Sequence, residues 1–179
     1  CLIVKNRWQM TLFAIANTVF RYTGSKREGF LFDVNTDDTQ PMESVIDTEG
    51  WPRWSGFAPA ARGELVPGAR WEVELRGESG PPNRTMRPRL LLVDPPRELR
   101  FETRVLGGLA ARMQHAFVIE AAGPERSTLI QRFEVTGLLL APLWPILRAG
   151  MVQFEELGAD LARGLGGEAI VKPAVAPPL

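Results

Sequence analysis

Between Leu99 and Val105 the chain alternates residue by residue: the odd positions are Leu99, Phe101, Thr103 and Val105, and the even ones are Arg100, Glu102 and Arg104. A period of two sends successive side chains to opposite faces of a strand, whereas a helix would scatter the same residues around its axis. The pattern therefore predicts a strand with one buried and one wet face. It returns in Met113 to Glu120 and in Leu129 to Val135, then gives way to helical spacing in Leu147, Met151, Phe154, Leu157, Leu161 and Leu165. Three half-buried strands feeding one long apolar helix are accommodated economically by a curved antiparallel sheet that grips the helix. Such a grip leaves room for an internal pocket.

A chain of 179 residues amounts to about one domain, able to bury roughly 70% of the surface its unfolded form exposes. Its 21 basic and 21 acidic residues are interspersed and cancel, so it lacks the basic stripe that nucleic-acid binding requires. The single cysteine, Cys1, and the single histidine, His115, exclude an internal disulfide framework and make zinc or iron sites unexpected. No cofactor is expected, and the cysteine usage suits a reducing cytoplasm. Opening on Cys1 rather than Met, the chain reads as a fragment or a processed product. Leu2-Ile3-Val4 argues against a lipid-anchored protein, where a small polar spacer is usual. The apolar run Met10 to Phe20 covers 11 residues and is too short for a stable membrane span, which takes about 20. Part of a signal segment, a helix lying on the domain and extra upstream sequence all remain open for it.

Gly24-Ser25-Lys26-Arg27-Glu28-Gly29 reads as a glycine-flanked joint between an N-terminal extension, 1–26, and the domain. Phe30 to Val34 follows as a first strand. Asp37 or Asp38 can cap a short helix carrying Met42, Val45 and Ile46 on one face, with Pro41 tolerated in its first turn. Gly50-Trp51-Pro52 stops that helix, and Arg53 to Phe57 continues as a turn or second helix. Strands are expected over Ala61 to Leu65, Trp71 to Leu75 and Arg89 to Val93, with an exposed loop at Gly77 to Asn83. The long helix is predicted over Leu143 to Leu165, Pro142 and Pro145 lying near its start because an interior proline costs about 3 kcal/mol. Residues 167–179 show no pattern and are expected to be a disordered tail.

This order, together with the words Glu49-Gly50-Trp51-Pro52-Arg53-Trp54, Val66 to Trp71, Asp94 to Phe101 and Phe133 to Leu139, resembles the START-like superfamily. Within it, the chain is most similar to the bacterial polyketide cyclase/dehydrase and lipid-transport branch, also called SRPBCC. The resemblance covers about 27–166. It implies an α+β, helix-grip fold: a curved antiparallel sheet of about seven strands wrapped around a long C-terminal helix, with two short helices after the first strand. It further implies an internal hydrophobic cavity and functions that run from passive ligand carriage to cyclisation. The first helix departs from the family, which usually carries a Val-Trp pair where this chain reads Met42-Glu43-Ser44-Val45-Ile46. These motifs specify fold rather than activity.

His115 shares a strand face with Met113, Phe117 and Ile119, so on a concave face it would point into the cavity as a hydrogen-bonding group or a general base. Satisfaction in the wall is the plainer alternative. Gln131, between Leu129 and Phe133, and Thr103, between Phe101 and Val105, fall on the faces expected to be buried. An unpartnered amide or hydroxyl there costs about 1–3 kcal/mol, so each must bond a neighbour, water or a ligand. Trp71, with Trp51 and Trp54, reads first as packing, while Met151 and Phe154 are core residues that would also roof a cavity. The candidate binding surface is thus Trp71, Phe101, Thr103, Met113 and His115 on one side, with Phe117, Gln131, Phe133, Met151 and Phe154 completing it. The expected partner is a small hydrophobic molecule or lipid, carried without catalysis. Two alternatives stand beside this: an aromatic polyketide cyclase or dehydratase using His115, and a chaperone-interaction module. Acyl-transfer, nucleotide-binding and metalloprotease motifs are absent.

Overall fold

Alternation in the sequence becomes layering in space. The computed structural model describes residues 24–76 and 84–173, the last six of these as backbone. The run Met10 to Phe20, the loop Gly77 to Asn83 and residues 174–179 lie outside the described residues. Strands β1 (Gly24–Val34), β5 (Arg89–Asp94), β6 (Glu98–Val105), β7 (Ala111–Gly123), β8 (Arg126–Gly137) and β9 (Glu168–Pro173) form one antiparallel sheet in the order β5-β6-β7-β8-β1-β9. A smaller sheet joins β2 (Ala60–Arg62), β3 (Glu72–Leu75) and β4 (Arg84–Met86). It is tied to the edge of the large one where the Trp71 N–H donates to the Pro88 carbonyl at 2.9 Å and Arg70 bridges to Arg89. Helices α1 (Gln40–Ile46) and α2 (Trp51–Trp54) follow β1, and the 25-residue α3 (Leu140–Gly164) crosses the concave face. This is the α+β helix grip expected from the sequence.

The facing of the strands follows the alternation. Leu129, Gln131, Phe133 and Val135 of β8 are each no more than 1% exposed, as are Phe32 and Val34 of β1. Two interactions lock α3 onto this face. Gln131, with its amide oriented to satisfy its neighbours, donates to the Phe154 carbonyl at 2.9 Å and accepts from the Gly158 N–H at 3.1 Å. These are the two backbone groups that an α-helix would pair with each other. Gly158 permits the approach, because a Cβ there would collide with the ring of Phe32. At the helix's other end Arg148 Nε donates to the Glu28 carboxylate at 3.0 Å.

Several boundaries differ from expectation, each for a backbone reason. Residues 168–173, expected inside a patternless tail, pair with β1 as an outer strand. Edge pairing rests on main-chain groups and demands no hydrophobic signature. The glycine-flanked stretch 24–29 is strand rather than joint: Gly24, Ser25 and Lys26 sit opposite Gly137, Thr136 and Val135. Helix α3 starts at Leu140, three residues earlier than predicted, and Pro145 lies inside it; the carbonyl it leaves without a donor belongs to Ala141, which is exposed and can bond water. The strand expected over Ala61 to Leu65 is Ala60–Arg62, and β4 was not expected at all. The N-cap of α1 is Thr39 rather than Asp37 or Asp38, and the side chain of that residue does not cap the helix; Asp37, two residues earlier, instead holds the turn into it, its Oδ1 accepting from the Thr39 and Gln40 N–H groups at 3.1 and 3.3 Å.

Two outcomes test this account. A chain starting at Arg27 loses three residue pairs of the β1–β8 ladder that a chain starting at Gly24 keeps, and is expected to melt several degrees lower, corresponding to about 1–2 kcal/mol. Gln131→Leu, which keeps volume but removes both bonds to α3, is expected to cost about 1–2 kcal/mol in denaturant melts. Gln131→Glu should cost more, since it buries a carboxylate against a carbonyl oxygen; equal stability of the two variants would disprove the clamp.

Candidate functional site

Helix α3 does not fill the concavity completely. Between it, the large sheet and the small sheet lies a cavity of about 40 Å³, counted as room for the centres of water molecules. One water needs roughly 10–15 Å³ on that measure, so this partly open space holds a few waters or one very small ligand. Six of the residues expected at the site line it: Phe101 and Thr103 from β6, Met113, His115 and Phe117 from β7, and Phe154 from α3. They converge because Phe101 and Thr103 lie opposite His115 and Met113 in the β6–β7 ladder, so the inward residues of two strands form one floor.

Four expected residues stand behind this wall instead. Trp71 is 1% exposed and packs edge-on against Phe101, ring centres 5.3 Å apart, while its indole N–H donates to the Glu64 carbonyl. Phe133 stacks on His115 at 4.2 Å and 11°. Met151 is buried in the core. Gln131 spends its amide on α3, so the convergence of Thr103, His115 and Gln131 on one ligand does not occur; two of the three reach the cavity. Conversely, Trp51, Val73, Met86, Pro88 and Leu157 line the space although the sequence did not point to them as binding residues. Val73 and Leu157 carried a signal, in the β3 alternation and the α3 spacing. Met86 and Pro88 carried none, because the short β4 has no legible period.

His115 dominates the chemistry. Its imidazole lies among Phe133, Phe117 at 4.6 Å, Phe154 at 5.4 Å and Phe101 at 6.4 Å, and its Nε2 is buried without a hydrogen-bond partner. Burial away from water pushes its pKa down to about 3, since no anion stands by to stabilise the imidazolium. At neutral pH the ring is uncharged. It is thus a hydrogen-bonding group in an apolar chamber and a poor proton acceptor, because a general base works best with a pKa near the operating pH. Thr103 is the other polar side chain in the lining, and no lining residue is charged. Among the described residues no group of three or more His, Cys, Asp or Glu side chains is placed to hold a metal ion, and no helix is long and apolar enough to cross a membrane.

No protein-family model matches the sequence, and no curated protein sequence is similar to it. Solved structures are similar in fold. Norcoclaurine synthase from Thalictrum flavum superposes with a TM-score of 0.59 at 12% identity, covering 80% of this chain and 95% of that one. A START superfamily protein from Mycobacterium smegmatis gives 0.57 at 12%, covering 80% and 97%. The di-domain ARO/CYC protein BexL of the BE-7585A biosynthetic pathway gives 0.61 at 15%, with 79% of this chain spanning 46% of that two-domain chain. Identities this low speak to architecture alone, and the architecture is unambiguous: the chain has the START-like, SRPBCC helix-grip fold.

Proposed function

We propose that the protein binds a small, uncharged, largely aromatic or aliphatic molecule between the concave sheet and α3, and that it does so without transforming it. The observation that carries this reading is the pairing of an apolar lining with one neutral, unpartnered imidazole. A buried donor or acceptor left unsatisfied costs about 1–3 kcal/mol, which a ligand hydroxyl or carbonyl would relieve. A few placed polar groups in an otherwise apolar pocket are the usual recipe for binding with orientation. The small volume is compatible with this because Met86 and Met113 are in the wall, and methionine re-packs readily around guests. Among the structural neighbours, norcoclaurine synthase has been seen in complex with dopamine and hydroxybenzaldehyde, both small aromatics. A cyclase-type reaction is the second reading; the neighbouring ARO/CYC proteins favour it, and the low basicity of His115 weighs against it.

The binding reading is tested with p-cresol and p-toluate, which share a para-substituted toluene frame and differ chiefly in charge. Titration calorimetry should show p-cresol bound at least about tenfold more tightly, because the lining offers a carboxylate no counter-charge. His115→Gln should weaken p-cresol by less than about tenfold, and Phe117→Trp, which fills the space, should weaken it more. A substrate whose turnover vanishes in His115→Gln while its binding persists would replace carriage by catalysis.

The state of His115 has a separate consequence for stability. Its folded pKa of about 3 lies below the unfolded value, so the unfolded chain takes up the proton first. Its contribution is fully present above about pH 6.5 and drains away as pH falls toward 3, by up to about 1.4 kcal/mol per pH unit. Because His115 is the only histidine, His115→Phe should flatten the fall in stability between about pH 6.5 and 5 in urea melts. An NMR titration of the folded protein should show no imidazole transition in that interval.

A further inference from the structure

Among the described residues, one end of the domain exposes a group of apolar side chains. The turn between β6 and β7 holds Leu106 and Leu109, 74% and 73% exposed, and Leu106 has a φ of 49°. A bulky residue in the left-handed region pays for an uncommon backbone, here in order to present an isobutyl group to solvent. Beside this turn lie Leu138 and Leu139, each 45% exposed, held there because the Leu139 N–H donates to the Ala110 carbonyl at 3.1 Å and Gly137 packs directly on Ala110. The first turns of α3 extend the surface to Ile146, 71% exposed, on the helix face shared with Leu139 and Pro142.

The charges left unpaired around these side chains are of one sign. Arg112 is exposed and lies against Gly108 in the turn, with Arg104 beside it. Lys26 stands 5.9 Å from the ring of Trp144, near the start of α3. The acids of this end are committed: Glu102 to Arg104, Glu28 to Arg148 and Glu134 to Arg27. Arg112 and Lys26 have no carboxylate partner among the described residues. The first described residue of β1 is also at this end, Gly24 lying opposite Gly137.

We infer that this end docks on an anionic lipid surface, with Leu106, Leu109, Leu139 and Ile146 entering the acyl boundary and Arg112 and Lys26 meeting the headgroups. Apolar side chains projecting through a cationic rim are the arrangement by which peripheral proteins hold such surfaces. Charge decides against a second copy of the chain: a two-fold contact through this end would set Arg112 and Lys26 against themselves. The cavity residues Thr103 and Met113 sit just behind the turn, on the strands it joins, so docking would bring the cavity next to the bilayer. The docking itself does not depend on what the cavity holds.

Vesicle flotation of the full chain is the test, with phosphatidylcholine vesicles containing about one-third phosphatidylserine compared with phosphatidylcholine alone. The protein should float with the anionic vesicles at least about tenfold more strongly, and the double variant Leu106→Ser with Leu109→Ser should lose about tenfold or more of that binding. Both leucines are exposed, so its melting temperature should match the parent's; Arg112→Glu, which leaves the apolar surface intact, should also weaken flotation. Failure to float with either vesicle would overturn the inference. So would leucine variants that float as well as the parent, since another segment would then hold the lipid. Concentration-dependent dimers in sedimentation, abolished by the leucine changes and unaccompanied by vesicle binding, would assign the face to a second copy.

Discussion

The grip depends on one buried amide. Gln131 occupies an inward position on the central strand β8 and takes hold of the Phe154 carbonyl and the Gly158 N–H in the middle of α3. A fully buried side chain with four hydrogen-bonding sites is costly unless it is satisfied, and here the helix backbone satisfies it. The bond fixes both the register of α3 along the sheet and its rotation, because only one pair of backbone groups is offered at that depth. Gly158 against Phe32 sets how closely the helix can approach. Apolar packing supplies most of the driving force, but packing alone would tolerate a helix slid or turned by one residue.

The cavity is what remains once that position is imposed. Phe154 and Leu157, on the turn that Gln131 holds, form its roof, and β6 and β7 form its floor. The small sheet closes one side with Val73 and Met86. With α3 held in place, the aromatic residues around His115 cannot collapse further onto it, and the imidazole is left dry and neutral. The position of α3, which this clamp helps to set, thus shapes the empty space and the dry surroundings of the single histidine.

The apolar end of the domain follows from a different constraint. Antiparallel strands must turn somewhere, and the β6–β7 and β8–α3 turns fall together because the strands are neighbours in one sheet. Turns are ordinarily polar; these carry four exposed leucines. Nothing in the packing of the core requires that choice, and the backbone of Leu106 is strained rather than relieved by it.

How much of this could be read from residues alone is uneven, for physical reasons. Period-two alternation fixed the inward faces of β6, β7 and β8, because a strand's geometry leaves side chains only two directions, and the spacing of Met151, Phe154, Leu157 and Leu161 fixed the buried face of α3. Those local periodicities located His115 at the cavity. They could not see β9 or the first residues of β1, whose pairing is a matter of backbone groups and carries no side-chain signature, nor β4, too short to show a period. They also could not divide the buried polar residues by role: Thr103, His115 and Gln131 are alike in sequence, each a polar residue between apolar ones. Which of them reaches the cavity and which is consumed by the helix was decided only when α3, some twenty residues further along the chain, was laid across the sheet, because a hydrogen bond depends on distance in space and not on neighbours in sequence.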